Sequence, residues 1–378
     1  MSRTPPPRAL AWLAAAAACL CLVLVAPATA ATRHIQAPDT PFVRSLQLPL
    51  APLAFGHGQL RPSGFKRLAV ANDFWGGPIT ASNGEVVNVF SSTSYPQDAV
   101  DQASMQAFAD FVAALPHGSE LASLGVYVVT PEEMTGVCGN QALACYGVQA
   151  GQSLLIIPGQ WPEGFPEMEV VTHEYGHHIA NNRDNSPWHA IDWGPKRWAT
   201  AMNVCAQTKA GKMFPGDEGD NYDFNPGEAW SESYRTAVWG ANMRLPLVVD
   251  SSMGPSAAAL AAASADVTTP WVGPTESRVS GKLLPRTVKK RVGKKLVRRP
   301  APPNPRTLTV ATPLDGTFDV LFARAPARAT VAIVDPATGE QLALPSSGGT
   351  ATICGQRSVK LVVRAAKAGA FSLDVSIP

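Results

Sequence analysis

The chain has 378 residues, enough for two or three domains, and its 46 % hydrophobic and 16 % charged residues exclude a disordered polymer. The formal net charge of +2 excludes binding of nucleic acid through overall basicity. It also hides an imbalance: residues 278–306 carry eleven Lys/Arg and no acid, which leaves 20 basic against all 29 acidic residues elsewhere.

Residues 1–30 read as a secretory signal. Arg3 and Arg8 precede an apolar run from Ala9 to Val25, and Ala28-Thr29-Ala30 supplies a small-residue cleavage site. The run is short for a bilayer span and no later one is long enough, so a secreted protein without a stable membrane span is expected. Residues 31–65 form a Pro-rich N-terminal extension that could be a pro-segment.

A first folded region is expected over 66–255. Lys66–Ala71, Glu85–Ser91, Leu124–Val129 and Ser153–Ile157 read as strands. Asp98–Leu115 has apolar residues at helical spacing and is stopped by Pro116 and Gly118. Further helices are expected over Glu169–Asn182, over Lys196–Lys209, and from Pro226 with Asn225 as N-cap. Ser153–Ile157 precedes the helix that carries the motif below, and is expected to be an exposed edge strand that pairs with an extended peptide.

Residues 256–305 read as a linker: a small-residue run at Ala257–Ala263, then the basic, Pro-rich stretch. That stretch lacks interleaved aromatics, so no nucleic acid is expected as partner; weak attachment to acidic surface polymers is the functional alternative to a solvated loop. From 306 to 378 the pattern becomes short strands: Leu308–Ala311, Thr317–Phe322, Thr330–Val334, Ala351–Cys354, Ser358–Val363 and Phe371–Ser376. Turn signals such as Asp315-Gly316 and Gly348-Gly349 separate them, the pattern of an all-β sandwich domain.

Once the signal is removed, Cys138, Cys145, Cys205 and Cys354 remain, an even number that suggests two disulfides in an exported chain. Four cysteines allow three pairings. Cys138–Cys145 closes the shortest loop, and Cys205–Cys354 follows by elimination. Zinc binding by these thiols is disfavoured because no C-x-x-C pair exists.

His173-Glu174-Tyr175-Gly176-His177 is an H-E-x-x-H sequence. On a helix, positions four apart share a face, so His173 and His177 can direct imidazoles at one Zn²⁺ ion. Glu174, about 100° round the helix, lies beside such an ion and can take a proton from water. His178 points away from the ligands and reads as a supporting or surface residue. A third His six residues after His177 is absent, since Arg183 stands there. Glu228 and Glu232, four apart on a later helix, supply the other solution: one ligates and the other orients a histidine ring.

The pairing of this motif with a downstream helical Glu resembles the gluzincin metallopeptidases, the thermolysin-like group. The resemblance covers roughly Asn72 to Gly240 and is specific at the two helices. It implies an α+β zincin-like catalytic domain, a mixed sheet plus an active-site helix, with Glu228 as ligand and Glu232 supporting a histidine. The implied activity is hydrolysis of a peptide or protein substrate, with one catalytic zinc ion and Glu174 as base. Tyr222, Tyr234 and His189 are candidates to stabilise the oxyanion. The C-terminal strands resemble the β-sandwich appendages of secreted bacterial peptidases. The alternative is a secreted binding protein that keeps the fold without catalysis.

Overall fold

The computed structural model describes residues 33–36, 74–139, 142–149 and 151–378; for the first of these only the backbone is described. The expected signal segment, most of the expected N-terminal extension and the expected strand at Lys66–Ala71 lie outside the described residues. The chain is mixed α/β, with an N-terminal mixed sheet and a C-terminal antiparallel, β-sandwich-like region.

The first sheet is built from β1 (Arg33–Gln36), β2 (Phe74–Thr80), β3 (Val86–Ser92), β4 (Leu124–Val129), β5 (Ala142–Gln149) and β6 (Gln152–Pro158), in the order β1-β5-β6-β4-β3-β2. Strands β3, β4 and β6 are parallel, and β5 runs antiparallel to β6. β6 is therefore an interior strand, flanked by β4 and β5, and the expected exposed edge at Ser153–Ile157 is not one. Its unbroken apolar run is the pattern of a strand buried on both faces, and Leu154 to Ile157 are all buried. β5 lies outside it, and its outer side pairs with β1, where Arg33 faces Tyr146.

Helix α1 (Ala99–Ala114) is capped by Asp98, whose carboxylate accepts from the amides of Val100 and Asp101. Helix α2 (Pro131–Cys138) starts with a reciprocal capping box between Thr130 and Glu133. Helix α3 (Glu167–Asn181) carries the His-Glu motif. After the short β7 (Asp184–Asn185), β8 (Trp188–His189) and α4 (Ala190–Trp193), the expected helix over Lys196–Lys209 is broken into α5 (Lys196–Ala201) and α6 (Val204–Lys209). The break is at Asn203, which adopts a left-handed φ of 53° that no α-helix continues through. Helix α7 (Pro226–Trp239) begins as expected, with the Asn225 side chain accepting from the Gly227 amide and Pro226 in the first turn.

Residues 256–305 are structured rather than a linker. Helix α8 (Ala257–Thr268) packs on α5 and α7, and its Ala259, Ala263 and Val267 enter the first hydrophobic core. β9 (Thr275–Leu283) pairs along its length with the last strand. β10 (Arg286–Val292) and β11 (Lys295–Ala301) form a two-stranded hairpin.

The remaining strands are β12 (Arg306–Ala311), β13 (Gly316–Arg324), β14 (Thr330–Val334), β15 (Gln341–Ser346), β16 (Gly348–Ile353), β17 (Ser358–Arg364) and β18 (Gly369–Ile377). They make two four-stranded sheets, β12-β17-β14-β15 and β16-β13-β18-β9. Val359, Leu361 and Val363 of one sheet meet Phe371, Leu373 and Val375 of the other in a second core. Alternation along β17 and β18 places these residues inward and their neighbours outward. Gly348-Gly349, expected as a turn, lies inside β16.

The two regions are joined covalently. Cys138–Cys145 and Cys205–Cys354 are both bridged, and the second ties α6 to the end of β16. Beside it, the Asp315 amide donates to Thr200 Oγ1 at 3.0 Å, and the buried Lys196 ammonium donates to the Ser186 carbonyl at 2.6 Å. Gly316 adopts a positive φ of 144°, which favours glycine, and a Cβ there would also crowd that ammonium and the Ser186 carbonyl.

Candidate metal centre

The centre lies where α3 and α7 cross. Their approach is set by Gly176, the residue before His177: a Cβ there would come within 2.9 Å of Ser231 Cα. Trp230 Nε1 fastens the crossing by donating to the Gly176 carbonyl at 2.7 Å. Side chains of α7 can then reach the two histidines.

His173, His177 and Glu228 form a buried group whose ligand atoms all lie within 4.8 Å of one another. His173 Nε2 is 3.2 Å from Glu228 Oε2, and His177 Nε2 is 3.4 Å from Glu228 Oε1. Four-coordinate bonding at about 2.0–2.1 Å sets neighbouring ligand atoms about 3.3 Å apart, so the observed spacings suit one metal ion. Among the described residues no hydrogen-bond donor closer than His177 Nε2, at 3.4 Å, reaches Glu228 Oε1. Imidazole and carboxylate donors of this kind suit zinc and other first-row divalent ions.

The surrounding shell is polar and buried. Glu232 Oε1 accepts from His173 Nδ1 at 2.7 Å, which leaves Nε2 aimed at Glu228. Arg235 holds Glu232 in turn, with Nη2 at 2.6 Å from Oε2 and Nε at 3.1 Å from Oε1. The same guanidinium donates to Glu169 Oε2 at 2.7 Å and to the carbonyls of Leu245 and Pro246. Tyr222 donates its hydroxyl to Glu228 Oε2 at 2.8 Å. Tyr146, on β5, stacks against His177 with ring centroids 6.4 Å apart.

Burial opposes charge on His173, but its hydrogen bonds to Glu228 and Glu232 prevail and push its pKa up to about 10. Burial also opposes charge on Glu228 and Glu232, yet the histidines, and Arg235 for Glu232, hold both carboxyls below their ordinary range. The two carboxylates thus stay ionised beside the histidines.

The other singled-out residues are spread more widely. Glu174 is wholly buried one residue after His173 on α3. Tyr234 is buried on α7, and its hydroxyl donates to the Pro116 carbonyl rather than to any atom of the His-His-Glu group. His189 is exposed on β8 and lines a cavity of about 220 Å³ with Asn181, Asp184, Trp188 and Ile191. His178 is buried, not at the surface; its Nε2 bonds the Glu120 carbonyl at 2.9 Å, and burial pushes its pKa down to about 4. It anchors α3 to the loop before β4 as a neutral donor.

Sequence reasoning missed Arg235 and Glu169. The available signal was Arg235 three residues after Glu232, one helical turn on, which offers a guanidinium to the same carboxylate. Nothing in the local sequence marks Glu169 as its second partner. No family model matches this chain, and no curated protein matches it.

Proposed function

We propose that this chain is a secreted, zinc-dependent endopeptidase whose catalytic region has a zincin-like fold. The carrying observation is the His173–His177–Glu228 group, with carboxylate-to-imidazole spacings of 3.2 and 3.4 Å. The glutamate that follows His173 and the Glu232–Arg235 pair behind the ring complete the set of roles such chemistry needs. Secretion is supported by the two disulfides, and no helix among the described residues is long and apolar enough to cross a membrane.

In this reading His173, His177 and Glu228 hold the ion. A bound zinc ion would supply Lewis acidity and lower the pKa of water toward about 7. Glu174 takes the proton of the attacking water and hands it to the leaving amine. Glu232 fixes the His173 ring and its tautomer, and Arg235 keeps the Glu232 carboxylate from rotating. Tyr222 holds one oxygen of Glu228, which leaves the other to face His177. Of the three candidates for oxyanion donor, only Tyr222 touches this group.

A second reading has one observation in its favour. His173, Glu174, His177 and Glu228 are all 0 % exposed, as in a closed structural metal site, whereas a catalytic ion keeps an open position. That reading makes the chain a secreted binding protein whose metal serves stability alone.

Metal analysis of the mature protein, with casein hydrolysis before and after chelation, separates the two. One zinc per chain and hydrolysis that vanishes on chelation and returns with zinc support the peptidase. Stoichiometric zinc with no hydrolysis, and a lowered melting temperature after chelation, supports the structural site. Absence of bound metal overturns both.

A further inference from the structure

The β10–β11 hairpin belongs to neither four-stranded sheet and contributes nothing to either core. Nearly every side chain along it is exposed. Between 286 and 301 it carries eight Lys/Arg and no acid. Among the described residues none of the eight forms an ion pair, whereas Arg278 on neighbouring β9 pairs with Asp374. Lys289 and Arg298 are direct cross-strand partners. Like charges placed opposite one another weaken a two-stranded ribbon. The chain thus maintains a positive field here at some cost, and a complementary anion would relieve it.

The tip narrows the choice of anion. Val292, Leu296 and Val297 are 50 %, 70 % and 37 % exposed. The register sets each beside a base: Lys290 opposite Val297, Arg291 opposite Leu296, and Lys295 opposite Val292. Lys294 is in the turn between the strands, after Gly293 with its positive φ of 61°. A soluble polyanion gains nothing from exposed valine and leucine, while a lipid interface takes aliphatic groups and cationic heads together. We propose that this arm docks the protein tip-first on an anionic lipid surface. Leu296, Val292 and Val297 enter the headgroup–acyl boundary, and Lys290, Arg291, Lys294 and Lys295 meet the lipid phosphates.

The test is co-sedimentation of the full mature protein with phosphatidylcholine vesicles, with and without phosphatidylglycerol. Binding is expected only to the anionic vesicles and should fall with added salt. Two variants divide the contributions, each first checked for native near-ultraviolet circular dichroism. V292S/L296S/V297S keeps every charge and should weaken vesicle binding about tenfold or more, given about 0.8 kcal/mol per buried methylene. K290Q/R291Q/K294Q/K295Q keeps the aliphatic tip and should lose about fivefold per base removed. Failure of the wild type to sediment with anionic vesicles overturns the proposal. Full binding by V292S/L296S/V297S, with displacement by soluble polyphosphate, also overturns it and makes the arm a receptor for linear polyanions.

Discussion

Glu232 and His173, 59 positions apart in the chain, meet at 2.7 Å through Oε1 and Nδ1, and both side chains are wholly buried. The contact keeps a proton on Nδ1 and turns Nε2 toward Glu228. Changing Glu232 to Gln keeps the shape but removes the charge and leaves Arg235 without its closest partner. The expected loss in zinc affinity is about 10–100-fold, the usual range for groups that orient a ligand. Competition with a chromophoric chelator measures it. Unchanged affinity would mean that ring orientation is set by packing alone.

Glu174 and Glu228 should separate cleanly. Glu174→Gln retains the size and can still bond water but cannot take its proton, so stoichiometric zinc with nearly complete loss of hydrolysis is expected. Glu228→Gln replaces a charged oxygen by a neutral one, so metal and activity should fall together. Zinc content and casein hydrolysis on the same preparations decide the matter. Loss of zinc in Glu174→Gln, or normal zinc in Glu228→Gln, would reassign the third ligand.

Gly176→Ala probes the helix crossing. The added methyl meets Ser231 Cα at 2.9 Å, which is backbone that cannot swing aside. α3 and α7 must separate, and Glu228 must then draw back from the histidines. A destabilisation of about 1–3 kcal/mol from overpacking is expected, together with weaker zinc binding. The double variant Gly176→Ala/Ser231→Gly tests the mechanism, because it removes the Ser231 side chain while keeping its backbone in the way. Full recovery of zinc affinity there would place the clash in the side chain instead.

The sequence disclosed the centre far better than the sheet that supports it. Spacings of four along a helix are a local property, so His173 with His177, and Glu228 with Glu232, could be placed on common faces without knowing the fold. The Asn225–Pro226 start of α7 was legible for the same reason, as was the inward alternation of Val359, Leu361 and Val363. Strand order is not local. β6 reads like any apolar strand, and only the pairing with both β4 and β5 shows that it is interior. Basic residues and prolines in 278–306 suggested a solvated linker, yet β9 is held by the backbone of β18 and its Leu283 is buried in the second core. Arg235 was missed because its partners Glu169, Leu245 and Pro246 are distant in sequence.

The Cys205–Cys354 bridge spans a sequence separation of 149. A loop of that length gives a chain-entropy stabilisation of up to about 5 kcal/mol. Cys205→Ser/Cys354→Ser should therefore lower the urea midpoint markedly while both regions keep their cores. Limited proteolysis should show whether the joint between α8 and β9, residues 269–274, becomes a preferred cleavage site. Unaltered urea and proteolysis profiles would show that Lys196, Thr200 and Asp315 hold the regions together unaided.

Lys196 is a buried cation at that same joint, with its ammonium 4.4 Å from the Trp271 ring centroid. Burial pushes its pKa down to about 8, against the attraction of Asp184 and Asp315. An unfolded lysine titrates near 10.4, so between about pH 8 and 10 the unfolded chain binds more protons than the folded one. Stability contributed at this site must then rise with pH through that window. Below about pH 8 both states are protonated and the burial cost is constant. The tyrosines act in the opposite sense: burial raises Tyr95, Tyr146, Tyr175 and Tyr234, and unfolded tyrosine ionises near 10. Comparison with Lys196→Met removes their contribution, because both proteins share it. Urea unfolding at intervals from about pH 7 to 9.5 should show the stability difference moving in favour of the wild type above about pH 8. A difference that does not change with pH would mean that the Trp271 face and the Ser186 carbonyl keep Lys196 charged throughout, and the buried site would be a permanent cation clamp.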